Sequence, residues 1–309
     1  MRSVILIPTY QNLGTLAKIL AELSDHQQSV ILVDDGSTDG TAQWLEEWTR
    51  MHQDCSVLSL KANQGKGSAL ALGLSEATRR GFDCAVTMDA DGQHLVADAL
   101  WLGTLLAPNM MLIGTRDESA SDYPATSLFG RRLWSLGVRA LTGLGISDPV
   151  CGLRVYPLPI SSTIRCRSGR FAWEEEFLIR AAWKGVIIDE RPVATIYLPV
   201  ASRVSHYNLR RDWGESLLVF LKLAVTALLF RVPNVNRSQP LRRSDRSQRR
   251  LIAITVLVGG ICGCFTPIAF AAPILAWMAW KLHACWPLAL VSLLWGMAIM
   301  RVVSILCSG

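Results

Sequence analysis

The sequence predicts an α/β fold in which a mostly parallel sheet is flanked by helices. Short apolar runs such as Val4–Ile7, Val30–Val33 and Cys84–Met88 indicate buried strands, and polar loops and stretches of helical apolar spacing alternate with them. Right-handed β-α-β units of this kind build parallel sheets, whose ligands bind at the carboxyl ends of the strands. Because the polar loops follow the strands, we expect one site along that edge of the sheet.

The 309-residue chain changes character towards its C-terminus. Up to about Asp212, apolar runs alternate with charged and Gly-rich stretches, whereas the sequence from Leu251 onward is almost continuously apolar. Leu251–Trp280 and Ala284–Leu306 are each long enough to cross a bilayer, so they predict a transmembrane helical hairpin. We therefore expect a soluble domain at 1–212, an amphipathic interfacial helix at 213–231, a basic linker at 232–250 and two transmembrane helices in 251–309. For 213–231, a buried helix of the soluble domain is the alternative.

The formal net charge of +6 would suit a nucleic-acid partner if it were spread over the folded domain. Seven arginines instead lie just before the apolar C-terminal part: Arg231, Arg237, Arg242, Arg243, Arg246, Arg249 and Arg250. This clustering indicates a partner membrane with anionic headgroups, and a cytoplasmic location under the positive-inside rule, although a flexible basic linker would also account for it. With no signal peptide at the N-terminus, we expect a multi-pass protein of the cytoplasmic (inner) membrane, a cytosolic catalytic domain and no nucleic-acid partner.

The most distinctive loop follows the predicted strand at Cys84–Met88. Asp89 and Asp91 are two residues apart, so on an extended backbone their side chains share a face, and Gly92 lets the chain turn directly after them. Two carboxylates form a hard oxygen site for Mg²⁺ or Mn²⁺, ions that complete their shell with water and substrate phosphates. A solvated acidic turn is the alternative for this pair taken alone.

Three other loops add to this prediction. Asp34 and Asp35 can accept hydrogen bonds from a base or ribose edge. Asn63–Gly67 is similar to a short phosphate-binding loop in which Lys66 supplies charge, and it lacks the spacing of a P-loop ATPase. Arg116 follows another apolar run and could bridge diphosphate oxygens, an exposed arginine being the alternative.

Four loops follow successive predicted strands in chain order, and they are Pro8–Tyr10, Asp34–Thr41, Asn63–Gly67 and Asp89–His94. In this order they resemble the loops of family 2 glycosyltransferases of the GT-A fold, and among them the dolichyl- or polyprenyl-phosphate hexose (mannose) synthases. The resemblance runs from about Val4 to His206. It implies that Asp35 and the region of Pro8 and Tyr10 line a nucleotide pocket. It also supports a metal role for the residues before His94, with Asp89 and Asp91 as ligands and Gln93 as a third. The sequence departs from the family at Asn12, where relatives often carry an acid.

The resemblance also implies residues on the acceptor side. Asp148–Tyr156 resembles the acceptor-loop motif, with Cys151 where a serine is common, so Asp148 is expected to orient the acceptor and Arg154 to bind its phosphate. Glu174 and Glu176 are expected to face the cleft, although acids near a helix N-terminus are favourable for dipole reasons alone. Arg203 is the expected basic residue beside the donor diphosphate or the acceptor phosphate.

These observations and the resemblance predict a metal-dependent hexosyltransferase that moves a hexose from a UDP- or GDP-type nucleotide diphosphate sugar to a polyprenyl phosphate. The resemblance implies an inverting enzyme. A lipid or glycan hydroxyl acceptor is the alternative, and it would need a positioned general base, whereas a phosphate is already anionic. A noncatalytic membrane scaffold with a glycosyltransferase-like domain is a third possibility. A processive polysaccharide synthase is disfavoured because no Q-x-x-R-W motif follows Glu174.

Overall fold

A computed structural model of the protein describes residues 2–105, 107–117, 125–196 and 208–230. The strands in this part of the chain are β1 (Ser3–Thr9), β2 (Val30–Asp34), β3 (Cys55–Ser59), β4 (Cys84–Thr87), β5 (Met110–Arg116), β6 (Arg154–Pro157) and β7 (Ile187–Val193). The helices are α1 (Leu13–Ser24), α2 (Thr41–Met51), α3 (Lys66–Arg79), α4 (Val96–Thr104), α5 (Ala125–Thr142), α6 (Leu158–Ser161), α7 (Ala172–Trp183) and α8 (Leu209–Phe230).

The described strands form one mixed sheet in the order β3-β2-β1-β4-β6-β5-β7. β1, β2, β3 and β4 are parallel to one another, and β5 is parallel to β7. β6 is antiparallel to both of its neighbours, β4 and β5. The predicted α/β sheet with flanking helices is thus confirmed, with one reversed strand that the sequence did not reveal.

The strands in the middle of the sheet are buried on both faces. Every residue of β2 and β4 is buried, as is every residue of β1 after Ser3, and α3 packs against β1, β2 and β4. Continuous apolar strands are the expected result when helices cover both faces of a parallel sheet. The polar segments that follow the parallel strands therefore meet at the carboxyl edge.

Glycines let α3 approach its neighbours closely. A Cβ added at Gly73 would lie 2.2 Å from Leu6 Cδ1, and one added at Gly67 would lie 2.2 Å from Trp173 Cβ. Only glycine leaves room for these approaches, so the first turn of α3 is fixed against α7 as well as against the sheet. This packing sets the position of the side chain that begins the helix, Lys66.

The fold divides into two units. Of the described residues, one unit contains those up to 135 and 145–216, and the other contains 136–144 and 217–230. Within the second unit, the ring of Phe220 occupies the space beside Gly137, where an added Cβ would lie 2.6 Å from Phe220 Cε1. The interfacial helix predicted from Trp213 is part of α8, which begins earlier, at Leu209.

α8 has one buried face. Its buried residues recur at helical spacing, and they are Asp212, Ser216, Val219, Phe220, Leu223 and Ala224. Leu218 and Val225 are exposed on another part of the helix surface, as is Lys222. In the part of the chain that the structure describes, no helix combines the length and apolar character that a bilayer crossing requires. The predicted linker at 232–250 and the predicted hairpin in 251–309 lie outside the described residues.

Candidate active site

A cleft that is open to solvent lies at the carboxyl edge of β1, β2 and β4. Its lining combines the ends of these strands with the start of α3 and the residues before α7, namely Pro8, Thr9, Tyr10, Asn12, Asp35, Asn63, Gly65, Lys66, Ala69, Asp89, Ala90, Asp91, Arg170 and Phe171. The predicted positions Pro8, Tyr10, Asp35, Lys66 and Asp89 are thus brought together with Asp91. Gln93 is not among the described lining residues.

Asp89 and Asp91 present carboxylates to the same cleft. Asp91 Oδ1 accepts a hydrogen bond from the Gln93 main-chain N–H at 3.0 Å, which stabilises the turn. Asp89 lies against Gly152, where an added Cβ would be 2.3 Å from Asp89 Oδ2. Glycine at position 152 is therefore what makes room for the Asp89 carboxylate.

The donor set fits a divalent metal that shares its ligands with a substrate. Within the described residues, no cluster of three or more His, Cys, Asp or Glu side chains could hold a metal ion. Mg²⁺ commonly takes only one or two protein carboxylates together with water and substrate phosphates. Asp89 and Asp91 supply that number of hard oxygen ligands beside an open cleft, so the residues suit an ion that binds with a diphosphate.

Lys66 links two acidic residues at the edge of this cleft. Its Nζ lies 2.7 Å from Asp89 Oδ1 and 2.8 Å from Glu174 Oε2. Burial alone would lower the pKa of Lys66, but the two carboxylates outweigh it and raise that pKa above its ordinary value. Burial would raise the pKa of Asp89, and the charge of Lys66 outweighs it and lowers that pKa. Both groups are therefore charged at neutral pH.

The two acids after β2 have different surroundings. Asp34 is buried, and its carboxylate accepts the Ser37 N–H. Asp35 lines the cleft, and its oxygens accept the N–H groups of Gln64 and Gly65, each at 2.7 Å. Burial raises the pKa of Asp35 despite these two hydrogen bonds. Asp35 therefore orders the loop that leads into α3.

Asp148 is completely buried and paired with arginines. Arg116 donates from Nε to Asp148 Oδ2 at 2.8 Å and from Nη2 to Oδ1 at 2.9 Å, and Arg131 Nη1 lies 3.6 Å from Oδ2. Burial opposes ionisation, but the paired Arg116 outweighs it and lowers the pKa of Asp148. This carboxylate is thus a structural counter-ion for Arg116, and its low pKa makes it a weak base.

Arg154, at the start of β6, is also completely buried. Its guanidinium donates to the main-chain carbonyls of Cys151, Pro149 and Glu174 at 2.7, 2.7 and 2.9 Å. These contacts join the loop before β6 to the first turn of α7. In this arrangement the guanidinium that was expected to bind the acceptor phosphate donates to main-chain oxygens, and its Nε lies 3.8 Å from Glu174 Oε1.

The three acids at the start of α7 are all buried, and each has a different environment. Glu174 faces Lys66. Glu176 accepts the N–H groups of Arg167 and Ser168 and pairs with Arg180, so it orders the loop before α7. Of the two residues expected to face the cleft, the structure places Glu174 beside Lys66, with Glu176 on the loop side.

Arg170 and Phe171 also line the cleft, and they were not predicted from the sequence. Arg170 Nε lies 3.3 Å from Oδ1 of the buried Asp212, and the Phe171 ring centroid is 5.9 Å from Lys66 Nζ. Their position depends on the contact between Gly65 and the Gly169 main chain, which only small residues permit. In the sequence, Gly65 and Gly169 were the features that could have indicated this contact. Arg203 lies outside the described residues.

Comparison with known proteins gives the site its context. The family model for glycosyl transferase family 2 matches residues 4–106. An undecaprenyl-phosphate mannosyltransferase from Micrococcus luteus is 30% identical over 209 residues, covering 63% of this chain and 84% of that protein. A polyprenol monophosphomannose synthase from Mycolicibacterium smegmatis is 28% identical over 235 residues, covering 69% of this chain and 87% of the relative.

Among solved structures, S. aureus TarS 1-349 has a TM-score of 0.51 at 16% identity, covering 92% of this chain and 89% of that one. This likeness shows the fold. Sheet, cleft and relatives together define an enzyme that transfers a hexose. The chain belongs to glycosyl transferase family 2, and the predicted resemblance to polyprenyl-phosphate sugar synthases is confirmed.

Proposed function

We propose that this glycosyltransferase moves a hexose from a nucleotide diphosphate sugar to a polyprenyl phosphate, with inversion at the anomeric carbon and with Mg²⁺ or Mn²⁺. The observation that carries the proposal is the convergence of Asp89, Asp91 and Lys66 on one cleft. The relatives named above, whose names specify undecaprenyl phosphate and polyprenol, support the acceptor class.

The donor side of the cleft suits a nucleoside diphosphate. Tyr10 and Asp35 line this cleft together with Lys66 at the start of α3, which supports binding of a base and ribose beside Tyr10 and Asp35 and of the diphosphate beside Lys66. A divalent ion held by Asp89 and Asp91, with Gln93 as the expected third ligand, would supply electrostatic stabilisation for the leaving diphosphate. Lys66 and Arg116 are the described cations expected to add to that stabilisation.

The acceptor side favours a phosphate over a hydroxyl. A phosphate oxygen can attack the anomeric carbon without losing a proton, as the bond from that carbon to the nucleoside diphosphate breaks. A hydroxyl acceptor would require a base, yet Asp148 is paired with Arg116, and Glu174 is paired with Lys66. The charge pairing of the candidate bases therefore supports the phosphate.

For the location, we propose the cytosolic face of the cytoplasmic membrane. The exposed Leu218 and Val225 of α8 support contact with a lipid surface. The basic linker and the two apolar C-terminal stretches remain predictions from sequence that support the same location.

A donor screen on membranes that contain the full chain tests this function. Hexose donors carrying UDP or GDP are supplied with a polyprenyl phosphate or the matching polyprenol, and lipid products are identified by mass. We expect metal-dependent transfer to the phosphate, loss of turnover in Asp91→Asn, and normal turnover in the control Asp25→Asn, which changes an exposed acid. Transfer only to the polyprenol or to a glycan would contradict the phosphate acceptor.

A binding measurement separates the enzyme from a noncatalytic scaffold. Calorimetric titration of the full chain with nucleotide sugars, with and without Mn²⁺, should show metal-dependent binding that Asp91→Ala abolishes. If nucleotide sugars bind the wild type and Asp91→Ala equally well with and without Mn²⁺, the proposed donor site is contradicted.

A further inference from the structure

Lys66 already holds the first acid of the predicted metal pair. Its ammonium group contacts Asp89 Oδ1 at 2.7 Å and Glu174 Oε2 at 2.8 Å, and its side chain is only 14% exposed. An ammonium group offers three donors in a compact charge, so it can bridge two carboxylates in this way. The charge of Asp89 is therefore balanced by the protein itself.

The two oxygens of Asp89 are not equivalent. An added Cβ at Gly152 would lie 2.3 Å from Oδ2 and 2.9 Å from Oδ1, so Oδ2 is the oxygen nearer the space that a side chain at position 152 would fill. Oδ1 is the oxygen that contacts Lys66. A cation that binds Oδ1 would therefore share this oxygen with the ammonium group.

A metal and the ammonium group would repel each other at this oxygen. A divalent ion that shared the Asp89 carboxylate with Lys66 would lie close to the ammonium group, and like charges close together in a partly buried site repel each other strongly. The Asp89 carboxylate can therefore bind the divalent ion at full strength only when the ammonium group moves away, and the reverse also holds. Lys66 is thus placed as a competitor for the metal.

The main chain around Lys66 leaves only the side chain free to move. Gly67 is packed against Trp173, and the Ser68 N–H donates to the Gly169 carbonyl at 2.9 Å. The backbone at the start of α3 is therefore held in place. A change of partner by Lys66 must come from rotation of its own side-chain bonds.

We propose that Lys66, anchored by Glu174, competes with the divalent ion for Asp89, and that the diphosphate of the donor draws Lys66 away, so that metal and nucleotide bind cooperatively. Glu174 is then a positioning residue that acts through Lys66. This inference rests on the metal-dependent function proposed above. It predicts that the metal alone binds weakly and that removal of Lys66 strengthens its binding.

The test is calorimetric titration of the purified full chain in detergent with Mn²⁺ alone, and then with Mn²⁺ in the presence of UDP or GDP. For Lys66→Met, we expect affinity for Mn²⁺ alone to rise about tenfold or more, because a nearby like charge is lost. The nucleotide should raise Mn²⁺ affinity by a larger factor in the wild type than in this variant.

Three further variants make the result specific. Lys66→Met combined with Glu174→Gln removes one positive and one negative charge together, so it frees Asp89 without changing the net charge of the site, and it should also bind Mn²⁺ alone more tightly than the wild type. Lys66→Arg keeps the positive charge, so it should bind Mn²⁺ alone as weakly as the wild type does. Lys61→Met, at an exposed lysine outside the cleft, is the matched control and should behave as the wild type.

Thermal unfolding of each protein is followed in parallel, and the charge-balanced double variant decides the question if Lys66→Met alone does not fold. If both variants bind Mn²⁺ alone no more tightly than Lys61→Met, while the wild type binds Mn²⁺ with a nucleotide, the competition is overturned and the metal-dependent function stands. If the wild type binds no Mn²⁺ with either nucleotide, the metal-dependent function is overturned, and this inference with it.

Discussion

Arg116 and Asp148 form a two-pronged ion pair in which Nε and Nη2 of the arginine each donate to a different oxygen of a fully buried carboxylate, at 2.8 and 2.9 Å. Parallel hydrogen bonds of this kind fix orientation as well as charge. The guanidinium of Arg116, at the end of β5, is therefore oriented by a residue from the loop before β6. Any role of Arg116 toward a phosphate depends on that partner.

Asp148→Asn should destabilise the protein by about 3–5 kcal/mol, since it leaves the nearby arginines without their buried counter-charge. Because the folded pKa of Asp148 is lowered from 3.8, its stabilisation is complete above that pH and is lost as the pH falls below it through the folded value. Unfolding by denaturant between pH 3 and pH 7 measures both effects. An unchanged free energy of unfolding at pH 7 would contradict the structural role.

Arg154→Met tests whether this arginine holds the main chain or binds substrate. Three buried carbonyls would lose their donor, so we expect a loss of several kcal/mol in the free energy of unfolding. Thermal unfolding without ligands is the measurement, with Arg50→Met, at an exposed arginine of α2, as the control. An unchanged melting temperature combined with a raised KM for the acceptor would instead favour the phosphate-binding role.

Glu175→Gln should stabilise the protein at alkaline pH. Burial raises the pKa of Glu175 from 4.5 to about 7, and its Oε2 has no hydrogen-bond partner. The folded state thus binds a proton more tightly than the unfolded state, and stability falls as the pH rises from about 4.5 to 7, by about 3 kcal/mol in all. Glutamine removes this dependence, so the gain in free energy of unfolding should be larger at pH 8 than at pH 5. Equal gains at both pH values would count against the raised pKa.

Gly152→Ala should weaken metal and nucleotide binding together. The new Cβ would lie 2.3 Å from Asp89 Oδ2, so the carboxylate must shift away from the cleft position it shares with Asp91. We expect Mn²⁺ affinity in the presence of nucleotide to fall about tenfold, a loss of about 1.4 kcal/mol. Gly130→Ala, in α5 with open space around it, is the control and should bind normally. Equal affinities in the two variants would show that Asp89 does not need this space.

Much of the sheet was predictable because its strands are buried on both faces and therefore read as continuous apolar runs, as in β1, β2 and β4. β6 was not predicted, because it begins with a charged residue, Arg154. That arginine is tolerated inside the sheet because carbonyls of the preceding loop and of α7 accept its hydrogen bonds. Local patterns of hydrophobicity cannot predict such hydrogen-bond partners.

The same reasoning applies to the candidate site. Tyr10, Asp35 and Asp89 follow buried strands, so the sheet geometry alone predicts that they meet. Arg170 reaches the cleft through the packing of Gly65 on Gly169, a contact between segments far apart in sequence. The acids at the start of α7 were interpreted as possible partners of the helix dipole, but the structure buries them, and their individual partners determine their roles.

The reversed strand also has a consequence for the order in which the growing polypeptide can complete its sheet. β5 leaves the ribosome before β6, yet it joins β4 only through β6. A nascent chain that ends before Arg154 can therefore pair β1 to β4 but leaves the outer edge of β4 without its neighbour, and an open strand edge favours association with other chains. The edge of β4 is covered only after β6 has been synthesised. The cleft is completed later still, when the residues before α7 have been added.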